Sequence, residues 1–206
     1  MRDQNLNLRT IANLRQPSFI LMILLCLCGK ILNAQQTTFQ EANQMGAVIV
    51  VSVEGKADLI VGEDDAEAVE LKTGAVLAEG DFIKVDSASS VVLLFSNGTL
   101  VTAQENTEMT IGVFEQEPFE ATTGSVENLD SEPSSSKVEI DLDFGSLVVK
   151  TKKLDKKSSF DINSPLGTAG IRGTEFQLGV DPSKGMQLDV TESTVAFTPP
   201  GGSPVP

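Results

Sequence analysis

The pattern of apolar and polar positions between residues 47 and 198 predicts strands and not helices. Segments rich in Val, Leu, Ile, Thr and Phe are interrupted every few positions by turn residues, and none holds a 3.6-residue apolar period long enough for a helix. We expect an all-β fold, arranged as a sandwich or a solenoid-like stack. The predicted strand segments are 47–53, 90–103, 107–114, 136–151, 176–180 and 186–197.

Two of these segments show different burial patterns. Residues 138–143 alternate three apolar with three acidic side chains, which indicates one buried and one solvated face. Residues 91–95 are apolar on both faces and predict a central strand covered on both sides. Gly74 and Gly145 begin similar short segments, each followed by a strand pair, and indicate an internal pseudo-two-fold.

Glycine, asparagine and proline mark the expected turns. Asn97 and Gly98 lie between two apolar runs and predict a hairpin with a type I′ turn, because both residues tolerate the positive φ angles that this turn requires. Pro182 and Gly185 predict a second turn before the last strand segment. Residues 143–147 place one more glycine between two predicted strands.

Three stretches are predicted to lie outside regular structure. Residues 115–137 are acidic, Ser-rich and interrupted by two prolines, which predicts a long mobile loop. Residues 199–206 predict a disordered Pro/Gly tail, and residues 35–46 a polar linker. The expected domain therefore covers residues 47–198.

Residues 1–34 have the pattern of a secretory signal peptide. Three arginines and one acid precede an apolar run from 18 to 29, and the small residue Ala34 marks the expected cleavage site. The run has 12 residues, short of the roughly 20 needed to span a bilayer. We expect a cleaved signal and a periplasmic or secreted protein. An uncleaved anchor is the alternative, and only that alternative predicts contact with a membrane.

The charge of the chain limits the classes of partner. The net charge is −14, and it becomes −17 without the signal segment, which holds four basic residues and one acid. Such a charge repels phosphate backbones and anionic membranes, so no nucleic-acid partner is expected. Residues 150–157 form one basic island. We interpret it as a solvated edge strand and turn, with a docking patch for an acidic partner as the alternative.

The residue types present restrict the possible chemistry. Both cysteines, Cys26 and Cys28, lie in the signal segment, and the rest of the chain has no Cys, His, Trp or Tyr. This excludes disulfides, thiolate nucleophiles, His-based triads and Cys/His zinc sites from the mature chain. A glycan-active enzyme with two carboxylates remains as an alternative. We predict a non-enzyme without catalytic, cofactor-binding or metal-binding residues.

One arginine, Arg172, occurs beyond the signal segment and is followed by Gly173. Ile171 and Phe176 fall on opposite faces of a regular strand, so either Arg172 points into the core or a bulge resets the alternation. Gly173 is the expected position of such a bulge, because a residue without Cβ adopts the left-handed conformation that one common type requires. Gly170 predicts a close approach of neighbouring chain.

The sequence SPLGTAGIRGTEFQLGV, followed by LDVTESTVAF, resembles the closing motif of the FecR domain, the extracytoplasmic module of bacterial iron-uptake regulators and of other exported proteins. Upstream segments resemble the successive elements of that domain in the same order, so that the resemblance covers about residues 47–198. The segments that carry it are 53–59, 71–111, 144–151, 164–180 and 188–197.

This resemblance implies an all-β sensor or binding module without catalytic residues. The motif residues Gly170, Arg172, Gly173, Thr174 and Phe176 are expected to serve the fold, with Arg172 held by a carboxylate or by backbone carbonyls. The alternative role of Arg172 is to bind a carboxylate of a partner. In well-known members a cytoplasmic segment controls a sigma factor, and residues 1–16, which precede the segment 17–29, are too few for that cytoplasmic segment.

We therefore expect a non-enzymatic binding, sensing or structural module of the bacterial cell envelope. Its expected partner is a protein of the envelope, and no cofactor is expected. The alternative is a membrane-anchored periplasmic signalling regulator related to iron-uptake sensors, in which residues 18–34 stay uncleaved.

Overall fold

The structure is a computed structural model that describes residues 46–61, 67–119 and 128–203. Most of these residues lie in strands. In these ranges the chain forms twelve β-strands and no α-helix, which confirms the all-β prediction. The predicted signal peptide, the linker up to residue 45 and residues 204–206 lie outside the described residues. The strands are β1 (Val48–Glu54), β2 (Ala57–Val61), β3 (Glu67–Glu70), β4 (Val76–Leu77), β5 (Phe82–Val85), β6 (Ser90–Phe95), β7 (Leu100–Ala103), β8 (Thr107–Gln116), β9 (Ser136–Lys150), β10 (Ser159–Ser164), β11 (Gly167–Asp181) and β12 (Gly185–Thr198).

The long strand β9 joins two halves of one curled sheet. Its first half lies between β8 and β10, and its second half lies between β7 and β11. From β8 the sheet continues through β5 and β2 to β3, and from β7 through β6 and β1 to β4. β11 also pairs with β10 and β12. The β9–β10 pair is parallel, and the other pairs of described strands are antiparallel.

Alternate side chains of both halves form a single core. The rings of Phe95 and Phe114 lie 5.1 Å apart between centroids, and those of Phe95 and Phe160 lie 6.5 Å apart, both edge to face. The predicted alternation in β9 is confirmed, because its three apolar residues from 138 to 142 are buried. β6 is central, between β1 and β7, but Val92 and Leu94 are only half-buried. The expected cover on both faces of β6 is therefore wrong.

The hairpin between β6 and β7 does not contain the expected type I′ turn. Gly98 N donates to Phe95 O (2.8 Å), so that Ser96 and Asn97 are the central residues of the turn, and of the expected pair Asn97 and Gly98 only Gly98 has a positive φ, 87°. This geometry fits a type I turn followed by a left-handed glycine. Asn97 is instead buried: its Oδ1 accepts from Thr99 N (3.0 Å), and its Nδ2 donates to Ser136 Oγ (3.0 Å). The turn type observed here therefore occurs together with two hydrogen bonds of the Asn97 side chain.

The predicted mobile loop over 115–137 is too long at both ends. β8 extends through Gln116, and β9 begins at Ser136. Glu132, inside the predicted loop, is buried and hydrogen-bonded. Residues 120–127 lie outside the described residues. Acidic composition was misleading here because a carboxylate supplied with enough donors can be buried.

The basic island at 150–157 does not form an edge strand. Lys150 ends β9 and is paired on both sides, with Leu100 of β7 and Glu175 of β11. The chain then turns at the exposed residues Lys156 and Lys157 before β10 begins. The edge-strand part of the interpretation is therefore wrong.

Gly145 lies within β9 and not in a turn, contrary to the expectation for residues 143–147. Its φ is 103°, and a Cβ there would come within 2.8 Å of the backbone oxygen of Asn106. The position requires glycine, and it is where β9 exchanges β8 for β7 as its neighbour. Gly74, by contrast, precedes the two-residue strand β4. The predicted pseudo-two-fold required the two glycines to begin equivalent elements, and they do not.

The turn between β11 and β12 contains a hydrogen-bonded aspartate whose pKa can be measured. Asp181 accepts hydrogen bonds from Lys184 Nζ (2.8 Å), Ser183 Oγ (2.6 Å) and Ser183 N (2.9 Å). These donors hold the pKa of Asp181 well below its usual range, and the hydrogen bond from Lys184 is the largest cause. Because the folded-state pKa is depressed, the stabilisation is present above the unfolded-state pKa and is lost as the pH falls through the folded value.

We expect a carboxyl NMR titration to find the Asp181 pKa clearly below its usual value of about 3.9. Lys184→Ala should raise that pKa, since it removes the largest cause of the shift. Lys72→Ala, which removes a lysine paired with Glu70, serves as the control and should leave Asp181 unchanged. An ordinary Asp181 pKa in the wild type would contradict the turn geometry.

Candidate functional site

The motif that resembles the FecR domain lies where β11 passes from one half of the sheet to the other. Residues 167–170 pair with β10, and residues 175–180 pair with the second half of β9. β12 accompanies both parts of β11. The residues between the two ladders therefore stand at a corner of the sheet.

The ladder between β11 and β12 is irregular at this corner. Arg172 is opposite Thr194, and Glu175 is opposite Glu192, so that β11 contributes one residue more than β12 over this interval. An extra residue on one strand is a β-bulge, which bends the strand and increases its twist. The irregularity agrees with the bulge expected near Gly173, and it allows β11 to change neighbours without a break.

Burial along β11 changes phase across the same residues. Ile171 and Phe176, an odd and an even position, are both buried in the core. Before the corner, Gly170 leaves space for a neighbour, because a Cβ there would lie 3.0 Å from Asp161 Oδ1. Gly170 and Phe176 thus contribute to packing. The side chains of residues 172–174 lie outside the described set, so the roles of Arg172 and Thr174 stay predictions.

A polar network crosses β9, β10 and β11 on the face opposite the core. Asp161 is beside Glu139 in the parallel ladder, and Asn163 is beside Asp141. Asn163 Nδ2 donates to Asp141 Oδ1 (3.1 Å), and Thr168 Oγ1 donates to Asn163 Oδ1 (3.0 Å). In the part of the chain that the structure describes, no group of three or more potential metal-ligating side chains occurs. The geometry is that of a solvated acidic face.

The other half of that face is apolar. Val76, Ile49, Leu94 and Leu100 are consecutive cross-strand neighbours on β4, β1, β6 and β7, and Lys150 ends the row on β9. Val76 and Ile49 are exposed, and Leu94 and Leu100 are half-buried. The sequence did not show this row, because its members come from four strands whose register only the fold defines.

A buried carboxylate joins the start of β9 to the connection before β10. Glu132 accepts from Ser136 Oγ (2.7 Å), from Asp155 N (2.5 Å) and from Ser158 Oγ. Ser136 Oγ also accepts from Asn97 Nδ2, so the network includes the β6–β7 hairpin. Asn97, one of the two predicted hairpin residues, therefore belongs to this network. The sequence signal that could have indicated it is the set of serines at 134–136 and 158–159.

An open cleft of about 600 Å³ lies beside this network, at the end of β8 and the start of β9. Gln116 contributes a side chain whose Oε1 accepts from Ser96 Oγ (2.6 Å), while its buried Nε2 has no partner among the described residues. The lining mixes three acids with two lysines, so that neither sign dominates. The residues are Glu79, Glu115, Gln116, Glu117, Pro118, Ser135, Ser136, Lys137 and Lys157.

The sheet also has edges of different lengths. Among the described strands, β3 pairs only with β2, β4 only with β1, and β12 only with β11. β3 has four residues and β4 two, whereas β12 has fourteen. The apolar pattern of residues 186–197 predicted the last strand but not its place at an edge, because strand order depends on tertiary pairing.

Comparison with known proteins identifies the domain. The family model described as FecR protein matches residues 81–196, more than half of the chain and the part that runs from β5 into β12. No curated protein and no solved structure matches the sequence. FecR proteins are associated with regulators of envelope signalling and are not known as enzymes. The described residues include no helix that could cross a bilayer. The match covers the bend in β11, both long strands that flank it and most of the core, and the chain belongs to the FecR protein family.

Proposed function

We propose that this FecR-family protein is exported and acts in the cell envelope as a non-enzymatic module that binds a protein partner. The family match over residues 81–196 carries the proposal, because the family is associated with envelope signalling. The N-terminal sequence supports export: a basic start, a 12-residue apolar run and the small residue Ala34 follow in the order of a secretory signal.

The charge supports a soluble module with a protein partner. With a net charge of −14, the chain repels other polyanions, and its surface disfavours nucleic acid and anionic lipid. The bend at Gly170–Phe176 serves the fold in this proposal. Binding then uses surfaces that the bent strands present, and not the motif itself.

A second candidate is a membrane-anchored signalling regulator. The apolar run and the residues after it, 18–34, would then stay on the chain and hold the domain at the membrane. The two candidates predict different masses for the native protein, since only the first loses residues 1–34.

We expect the full chain, expressed in a bacterium with an outer membrane, to accumulate as a soluble periplasmic protein that begins at Gln35. Intact mass and cell fractionation measure both properties. Ala34→Asp places a large charged residue before the cleavage site and should retain the uncleaved chain in the membrane fraction. Leu24→Arg with Leu25→Arg interrupts the apolar run and should leave the chain in the cytoplasm.

A full-length wild-type protein in the membrane fraction would reject the free module and support the anchored regulator. A full-length wild-type protein in the cytoplasm would reject both candidates. Export with binding would be established by cross-linking the periplasmic protein to a partner in intact cells, with the Leu24→Arg, Leu25→Arg variant as the unexported control.

A further inference from the structure

Among the described strands β12 pairs only with β11, so its other edge is a long edge without the usual protection. A row of unpaired N–H and C=O groups is a template for another strand, and natural proteins protect such edges with lysine, proline or very short strands. β3 and β4 are short, whereas the fourteen residues of β12 include neither lysine nor proline. The pairing with β11 is regular from Gly185 to Val190 and becomes irregular only beyond. The first half of β12 is therefore an extended and regular edge.

The apolar side of this edge is incompletely covered. Met186 and Leu188 are only half-buried against the core, and Val190 is 40% exposed. Their partners on β11 are Val180, Leu178 and Phe176, all buried. Because cross-strand partners share one face of an antiparallel pair, the row of core side chains continues onto β12 and ends there in contact with water. An added strand with apolar residues at alternate positions would extend the row.

The opposite side of the edge is polar and carries the carboxylate of Asp189. Gln187 and Asp189 are exposed, and Gln187 Nε2 donates to Asp189 Oδ2 (2.8 Å). Among the described residues no lysine or arginine forms an ion pair with Asp189. The whole chain is also strongly acidic. Opposite charges on neighbouring strands favour pairing, and like charges oppose it. A basic strand therefore fits this side, and a second copy of the chain does not.

We propose that residues 185–191 of β12 are a docking site for an extended segment of a partner protein in which apolar and basic side chains alternate. The apolar residues lie beside Met186, Leu188 and Val190, the basic residues lie beside Asp189, and backbone hydrogen bonds to the free edge supply affinity. The proposal rests on the proposed binding function, to which it adds the site and the chemistry of the partner.

The test uses an acetylated ten-residue peptide of alternating valine and lysine. The protein is expressed from the full-length sequence and purified in whatever processed form the host produces. The control peptide has the same side chains but carries N-methyl groups on alternate amides, so that it keeps its charge and cannot complete a strand ladder. We expect the first peptide to bind in fluorescence anisotropy and to slow amide hydrogen exchange in residues 185–191. The control peptide should do neither.

Val190→Lys places a charge in the apolar row and should weaken binding at least about tenfold, since inward-pointing charge is a device that blocks edge pairing. Val69→Lys is the matched control, because Val69 is 47% exposed on the edge strand β3, and it should change binding less than about twofold. Asp189→Lys, at an exposed position, provides a second variant that leaves the core unchanged and should also weaken binding.

Equal binding by the two peptides, equal effects of the two valine variants, or protection outside β12 would overturn the proposal. Protection of residues 185–191 before peptide is added would also overturn it, since the edge would then be covered by the chain itself or by a second copy. A cytoplasmic protein whose β12 still binds the peptide would reject export and keep the docking site. An exported protein whose β12 is not protected would reject the docking site and keep the proposed function.

Discussion

Phe95→Ala should lower the free energy of unfolding by about 3–5 kcal/mol, the range for truncation of a buried aromatic side chain. Phe95 is fully buried in β6 and contacts the rings of Phe114 and Phe160, which come from β8 and β10. Those strands lie on opposite sides of the first half of β9. The cavity would therefore weaken packing between the two halves of the sheet, and the surrounding strands cannot collapse fully into it.

Equilibrium urea unfolding followed by far-ultraviolet circular dichroism measures this effect, since the chain has no Trp or Tyr for fluorescence. Phe144→Ala is the control, because Phe144 is 38% exposed on β9, and it should cost less than about 1 kcal/mol. Similar losses for the two variants would show that Phe95 does not occupy the core as described.

Glu132→Ala should lower the free energy of unfolding by about 2–4 kcal/mol, because it leaves two buried hydroxyl donors and one partly buried amide without their acceptor. The carboxylate accepts from two serine hydroxyls, Ser136 and Ser158, and from the Asp155 amide. These groups lie at the start of β9 and in the connection to β10, two segments that the carboxylate holds together. Loss of the acceptor should also accelerate amide exchange at Asp155.

Glu132→Gln keeps a carbonyl acceptor and should lose about half as much stability as the alanine variant. Glu117→Ala is the matched control, since Glu117 is exposed near the same strand ends, and it should change stability by less than about 0.5 kcal/mol. A change at Glu132 as small as that at Glu117 would contradict the buried network.

Long strands were predictable because their side chains alternate over enough positions to show period two. β8, β9 and β12 match their predicted segments closely, whereas β2 to β5 and β10 were missed as strand segments. The missed strands have two to six residues, too few for a clear period. The first part of β11 is rich in glycine, which disfavours strands on its own. The first part of β11 is a strand because β10 and β12 pair with it on its two sides.

The alternation of buried and exposed side chains also indicated a possible bulge in β11. Ile171 and Phe176 are both apolar but five positions apart, so a regular strand cannot bury both, and the sequence offered a bulge near Gly173 as one of two explanations, the other being an Arg172 that points into the core. The turn at Asn97 was not predictable, because the Asn97 side chain bonds to Ser136, 39 residues away. Local turn preferences contain no information about that partner.

The sequence by itself determined the β class, the positions of β8, β9 and β12, the acidic charge and the choice between a bulge near Gly173 and an inward-pointing Arg172. All of these follow from composition or from alternation along one strand. The tertiary structure alone decided which strands are edges, where Glu132 is buried, and which apolar residues meet across strands. Those properties depend on pairing between distant segments, as where β9 exchanges β8 for β7, and alternation along one strand does not specify its neighbours.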